Sequence, residues 1–117
     1  MNKLPETVFK ALSDSTRLRC LTLLCQEGEL CVCELTHAIQ MPQPKVSRHL
    51  ALLRESGIVA DHRRGQWIFY RINPDLPVWV HDILERTARE IAPTEPFVRD
   101  HERLTTMAER PGATCVV

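Results

Sequence analysis

A chain of 117 residues with 15 basic and 15 acidic side chains supports one folded domain, with a core modest enough that a partner subunit would help to cover it. The zero formal charge argues against a general polyanion binder, and no apolar stretch approaches the roughly 18 residues that a membrane span needs. The start Met1-Asn2-Lys3-Leu4-Pro5 is too polar for a signal peptide, so the expected compartment is the cytoplasm, with no membrane partner. There the five cysteines (Cys20, Cys25, Cys31, Cys33 and Cys115) read as core residues, ligands or redox thiols, not as a disulfide framework.

The charge is unevenly placed. Between Gln43 and Ile72, Lys45, Arg48, Arg54, Arg63, Arg64 and Arg71 face only Glu55 and Asp61, whereas acidic residues outnumber basic ones from Asn73 onward. A basic middle in a neutral chain suggests a directed nucleic-acid surface.

In chain order, Thr7 to Leu12 reads as a short helix with Val8, Phe9 and Leu12 on one side. Asp14 caps a second helix running to about Gln26, with Leu18, Leu21, Leu24 and Cys25 as its apolar stripe, and Gly28 ends it. Cys31 to Ile39 form a third helix with Leu35, Ala38 and Ile39 inward. Met41-Pro42 make a turn, and a fourth helix runs from Gln43 to about Ser56, with Pro44 tolerated in its first turn. The period then changes from 3.6 to 2: Ile58 to His62 and Gln66 to Ile72 are strands around a basic tip, Arg63-Arg64-Gly65. A fifth helix spans Val78 to Ile91, and a polar, acidic tail follows Pro93, with one more helix candidate between Phe97 and Ala108. The first and fifth helices carry more apolar surface (Val8, Phe9, Leu12, Trp79, Val80, Ile83 and Leu84) than one small domain can cover, so these residues are expected to face a partner subunit.

This α-α-α-α-β-β-α order is mostly α with a β-hairpin wing (α+β), the layout of a winged helix-turn-helix, over residues 1–92. Residues 93–117 form a C-terminal tail, partly helical or without fixed structure. On the fourth helix, Leu50 and Leu53 fall within roughly 40° of Val46 at ~100° per residue, leaving a small, basic face near the N-terminus. On that face Gln43, Ser47 and Arg48 are the candidate base readers and Lys45 a phosphate contact. Arg63, Arg64 and Gln66 at the wing would reach phosphate or the minor groove of double-stranded DNA. His49 lies about 60° from the core direction and reads as a packed edge residue.

Three segments carry a resemblance: Glu29-Leu30-Cys31-Val32-Cys33-Glu34-Leu35; Gln43-Pro44-Lys45-Val46-Ser47-Arg48-His49-Leu50; and Gly65-Gln66-Trp67-Ile68-Phe69-Tyr70-Arg71. Together with Leu12-Ser13-Asp14-Ser15-Thr16-Arg17-Leu18-Arg19 they strongly resemble the ArsR branch of the ArsR/SmtB repressors, over about residues 5 to 91. The resemblance implies a non-enzymatic repressor that binds operator DNA of an arsenic-resistance operon as a homodimer, paired through the first and fifth helices. It also implies trivalent arsenic as an inducer, not a permanent cofactor, with antimony a further candidate.

The implied metalloid ligands are Cys31 and Cys33, soft thiols suited to a thiophilic centre. Two residues apart on an α-helix point ~200° apart, so capturing one atom with both needs a helix start that is non-helical already or unwinds. Many arsenic sensors of this pattern carry a third cysteine where this chain has Thr36, which leaves Cys115 or a solution thiol as the third ligand. Ordering the tail from Ile91 to Cys115 costs about 1–2 kcal/mol of backbone entropy per residue, so the expectation is that Cys31 and Cys33 suffice. The rival readings are a cadmium, lead or zinc sensor and a thiol-redox switch on the same fold. Cysteines on an N-terminal extension are missing for the first, and His81, Asp82 and Glu85 make an incomplete zinc set on the fifth helix.

Overall fold

The computed structural model describes residues 3–108 and 110. Pro5 and Glu6 in the first turn of α1 (Leu4–Leu12) open the fold, and Asp14 then starts α2 (Ser15–Glu27) by accepting the Arg17 N–H at 3.0 Å. Such a cap contributes about 1 kcal/mol. Gly28 ends α2 at φ 90°, a backbone region that other side chains avoid. The chain continues through β1 (Glu29–Cys31), α3 (Val32–Ile39), α4 (Gln43–Glu55), β2 (Val59–Arg64), β3 (Trp67–Ile72), α5 (Val78–Ile91) and α6 (Phe97–Thr105).

The winged helix-turn-helix layout is present: α3 and α4 joined by a tight turn at Gln40 (φ 56°, ψ 46°), then the hairpin β2–β3. One core serves all the helices, with Leu21 and Leu24 of α2, Leu35 of α3, Leu50 of α4, Leu84 of α5 and Leu104 of α6 within it. α6 packs on α3 and α2 and contributes the fully buried Leu104.

Three features differ from the sequence reading. First, Glu29–Cys31 form a third strand, paired antiparallel with β3 in the register Glu29↔Arg71, Leu30↔Tyr70, Cys31↔Phe69, so the sheet order is β1-β3-β2. Three residues are too few to show a period of two. Second, the hairpin turn is Gly65-Gln66, with Gly65 at φ 63°, the left-handed φ that two-residue hairpin turns favour. Arg63 and Arg64 therefore belong to β2, opposite Ile68 and Trp67. Third, Val8, Val80 and Leu84 face this chain's own core, so the large apolar side chains left exposed on α1 and α5 are Phe9, Val78 and Trp79.

His49, on the edge of α4, accepts a hydrogen bond from Arg17 Nη1 at 3.2 Å when its Nδ1 is unprotonated. Burial lowers its pKa, with Arg17, Arg48 and Lys45 acting in the same sense and Asp14 opposing. Folded His49 thus binds a proton less readily than the unfolded chain, whose imidazole titrates near the ordinary ~6.5. The stability it lends is complete above that pH and is lost as pH falls below it. Thermal unfolding measured between pH 7 and 5 should show a falling midpoint, and His49→Gln should flatten that fall; an unchanged slope would contradict the assignment.

Candidate nucleic-acid interface and thiol site

α4 is anchored as its wheel requires: Val46, Leu50 and Leu53 are buried. Gln43 and Arg48 are exposed, with Lys45 and Ser47 half-buried beside them. Among the described residues, none of the ion pairs engages Lys45, Arg48 or Arg63. These cations keep their charge available to an outside anion, and the exposed Gln66 lies in the wing turn.

Arg64 is differently placed. Its guanidinium carbon lies 4.7 Å from the centroid of the Phe69 ring, and Nη2 is 3.3 Å from Glu29 Oε1. His62 stacks on the same ring at 5.7 Å and lies 3.2 Å from Glu29 Oε2. Glu29 therefore ties the wing to β1, and Arg64 shares its charge between that carboxylate and solvent.

The thiol pair sits where β1 becomes α3. Cys31 is the last residue of β1, paired with Phe69, and is also the cap of α3 in an extended conformation (φ −87°, ψ 166°). Cys33 lies in the first turn. Because Cys31 precedes the helix, the ~200° separation of a regular helix does not apply, and the Cys33 thiol stands near enough to act on the Cys31 thiol. Cys31 is 1% exposed and Cys33 half-buried. Burial first, then the neighbouring Cys33 thiol, holds the Cys31 thiol well above the ordinary range, against a lowering by the Glu34 backbone N–H.

That N–H is half of a capping box: Glu34 N–H points at the Cys31 sulfur, and Glu34 Oε1 accepts the Cys31 N–H at 2.9 Å. Glu34 is 1% exposed, and its second oxygen accepts from Arg110 Nε at 2.7 Å. Neither Glu34 nor Arg110 was singled out from the sequence. A carboxylate three residues after a cap position is the available signal, masked here because cysteine stands in place of serine or threonine. Thr36 Oγ1, where a third thiol was sought, is buried without a hydrogen-bond partner among the described residues. Cys115 lies outside the described residues. Cys20 is fully buried, its pKa pushed up to about 12 by burial, and Cys25 at the core's edge reaches about 11 for the same reason.

An exposed basic face on the second helix of a helix-turn-helix, next to a basic hairpin, defines a winged-helix DNA-binding protein. The chain matches the pattern described as bacterial regulatory protein, arsR family, over residues 14–61. It is 52% identical over 107 residues to the arsenic resistance transcriptional regulator ArsR1 of Pseudomonas putida, covering 92% of this chain and 82% of that protein. It is 50% identical over 86 residues to the arsenical resistance operon repressor of Escherichia coli, covering 74% of each. Among solved structures, the AntR antimony-specific transcriptional repressor superposes with a TM-score of 0.61 at 36% identity, over 74% of this chain and 75% of that one. The chain belongs to the arsR family of bacterial regulatory proteins: it is a DNA-binding transcriptional regulator and not an enzyme. Among the described residues, no helix is long and apolar enough to cross a membrane.

The burial of the two thiols orders their reactivity. In the native protein at pH 8, iodoacetamide should alkylate Cys33 ahead of Cys31 and Cys20, as read by peptide mass spectrometry over time. Equal rates at Cys31 and Cys33 would show that burial does not separate the pair.

Proposed function

We propose that this chain represses an arsenic-resistance operon by holding double-stranded operator DNA, and lets go when trivalent arsenic bridges Cys31 and Cys33. The observation that carries the reading is the double placement of Cys31, which ends a strand of the wing sheet and caps the first helix of the DNA-reading unit. A ligand that draws the two sulfurs around one atom must move the start of α3, the end of β1, or both.

The chemistry balances without charge or redox change. Neutral arsenous acid loses two hydroxyl groups, which leave as water with the two thiol protons, and two As–S bonds form. Soft sulfur suits arsenic and antimony better than harder ions. The relatives favour arsenic over the cadmium, lead and zinc alternatives. The Pseudomonas putida and Escherichia coli relatives are arsenic-resistance regulators, and AntR is an antimony-specific repressor. A tenfold loss of operator affinity needs only about 1.4 kcal/mol of coupling, which a one-turn distortion can supply.

On the DNA side, Gln43, Ser47 and Arg48 read bases, Lys45 and Arg63 hold phosphate, and Arg64 and Gln66 support the wing against the backbone. The apolar patch of Phe9, Val78 and Trp79 on α1 and α5 is the surface through which two copies pair to span two half-sites.

Gel-shift titrations with arsenite, cadmium and peroxide test the sensor. Cys31→Ser and Cys33→Ser should each bind operator normally and fail to release it with arsenite. Retained release in either variant, or release by peroxide and not arsenite, overturns the reading. Cys115→Ser should respond with at most a modest loss of sensitivity, whereas complete loss would make the tail thiol a third ligand.

The reading face is tested separately. Arg48→Ala should weaken specific operator binding by about 1–3 kcal/mol, and Arg64→Ala should weaken all sequences alike and lower the salt slope. Normal specific binding by Arg48→Ala at matched salt would show the face to be wrongly placed.

A further inference from the structure

α3 is gripped at both ends by side chains from α6 and the segment after it, with one contribution from α2. At its C-terminal end, Arg103 Nε donates to Ala38 O at 2.7 Å and Arg19 Nη2 donates to Ile39 O at 3.0 Å. Both guanidiniums are tied to Asp100, whose side chain is 1% exposed: Arg19 by two bonds of 2.8 and 2.7 Å, Arg103 by one of 3.0 Å. Cations on the last carbonyls of a helix suit its dipole. At the N-terminal end, Arg110 Nε meets the buried Glu34 carboxylate at 2.7 Å, and its Nη2 lies 3.5 Å from Glu27 Oε1. Glu27 in turn lies 3.0 Å from His101 Nε2 of α6.

The N-terminal grip bears on the thiols. Glu34 uses one oxygen for the Cys31 N–H and the other for Arg110, so a cation sits one carboxylate away from the peptide that carries the first sulfur. A buried carboxylate without a partner is strongly disfavoured. Arg110 therefore stabilises Glu34 in the position that closes the cap. Drawing both sulfurs around one atom displaces Cys31 relative to α3 and opens that cap.

We propose that Arg110 is a positioning residue of the switch: its bond to Glu34 holds the α3 cap in the uninduced form and sets how much arsenite is needed for release. The proposal rests on reading Cys31 and Cys33 as the inducer site. A contact made only in the operator-binding form opposes the inducer by its own share of the coupling. Its loss must then tighten arsenite binding, the opposite of what general damage to the fold would do. Capture of neutral arsenous acid by two thiols changes no charge, so the effect runs through the cap geometry and not through attraction between Arg110 and a thiolate.

The test is an arsenite titration of Arg110→Gln without DNA, followed by the ultraviolet absorption of the As–S bonds, alongside operator release in a gel-shift. Half-saturation and half-release should both fall by about fivefold or more. Arg110→Lys, which keeps the charge but not the planar fork, should fall between Gln and wild type. Arg99→Gln, which breaks an exposed pair with Glu95 on the outside of α6, should match wild type. Unchanged or weaker arsenite binding in Arg110→Gln overturns the proposal. Should that variant fail to fold by circular dichroism, Arg110→Lys decides by the same criterion. Wild-type protein that neither binds nor responds to arsenite overturns the thiol-site reading, and the clamp with it.

Discussion

The bond from the Cys31 N–H to the Glu34 carboxylate is the constraint on which the DNA-reading unit depends. At Cys31 the chain leaves an antiparallel strand and enters a helix within one residue, and both elements must be satisfied there. Pairing with β3 fixes the strand side, and the capping box satisfies the first orphan donors of the helix. With α3 started at that point, Leu35, Ala38 and Ile39 fall into the core, Gln40 takes the left-handed turn, and α4 leaves with its basic face outward. The wing hangs from the same residue through Phe69. Recognition helix and wing are thus both registered on the peptide that carries a thiol.

Two carboxylates pass through the interior to maintain this arrangement, and each is held by arginine. Asp100 takes both Arg19 and Arg103, and Glu34 takes Arg110. Buried ion pairs contribute little net stability, because desolvation offsets most of the attraction. They are selective about geometry, however, since a displaced partner leaves a charge uncompensated. Hydrophobic packing of Leu35 and Ile39 would tolerate a small rotation of α3. The forked bonds to Asp100 and the cap at Glu34 do not, which suits a helix whose position carries the signal in the proposed mechanism.

The wing shows the same economy. Glu29 stands on β1 just before the thiols and collects His62 and Arg64 from β2. These pairs are partly exposed and weak individually. With the stacking on Phe69 they keep the hairpin aligned to β1, so a disturbance at Cys31 reaches the wing through the strand ladder as well as through α3.

Much of the fold was legible in the order of residues. The helices were marked by the apolar period, by Asp14 and by Gly28. The inward residues of α4 followed from spacing alone, because Val46, Leu50 and Leu53 can share a face only one way. The Cys31/Cys33 pair was visible as chemistry. What spacing could not decide was anything that required two distant segments to meet. β1 is three residues long and exists only because β3 pairs with it. Val8, Val80 and Leu84 read as surface for a partner until the other helices closed over them, leaving Phe9, Val78 and Trp79. Residues 97–105 carry a weak local signal, yet α6 is held by contacts to α2 and α3, so the entropy charged to the segment after Ile91 is already offset as far as that helix. The amino-acid sequence by itself determined the winged helix-turn-helix layout and the inward face of α4, and it showed Cys31 and Cys33 as a candidate pair, because each rests on local period and residue chemistry. Tertiary structure alone decided that Cys31 caps α3 while ending β1, and that Glu34 and Arg110 stand behind it, because a buried charge takes its meaning from the partner that the fold brings to it.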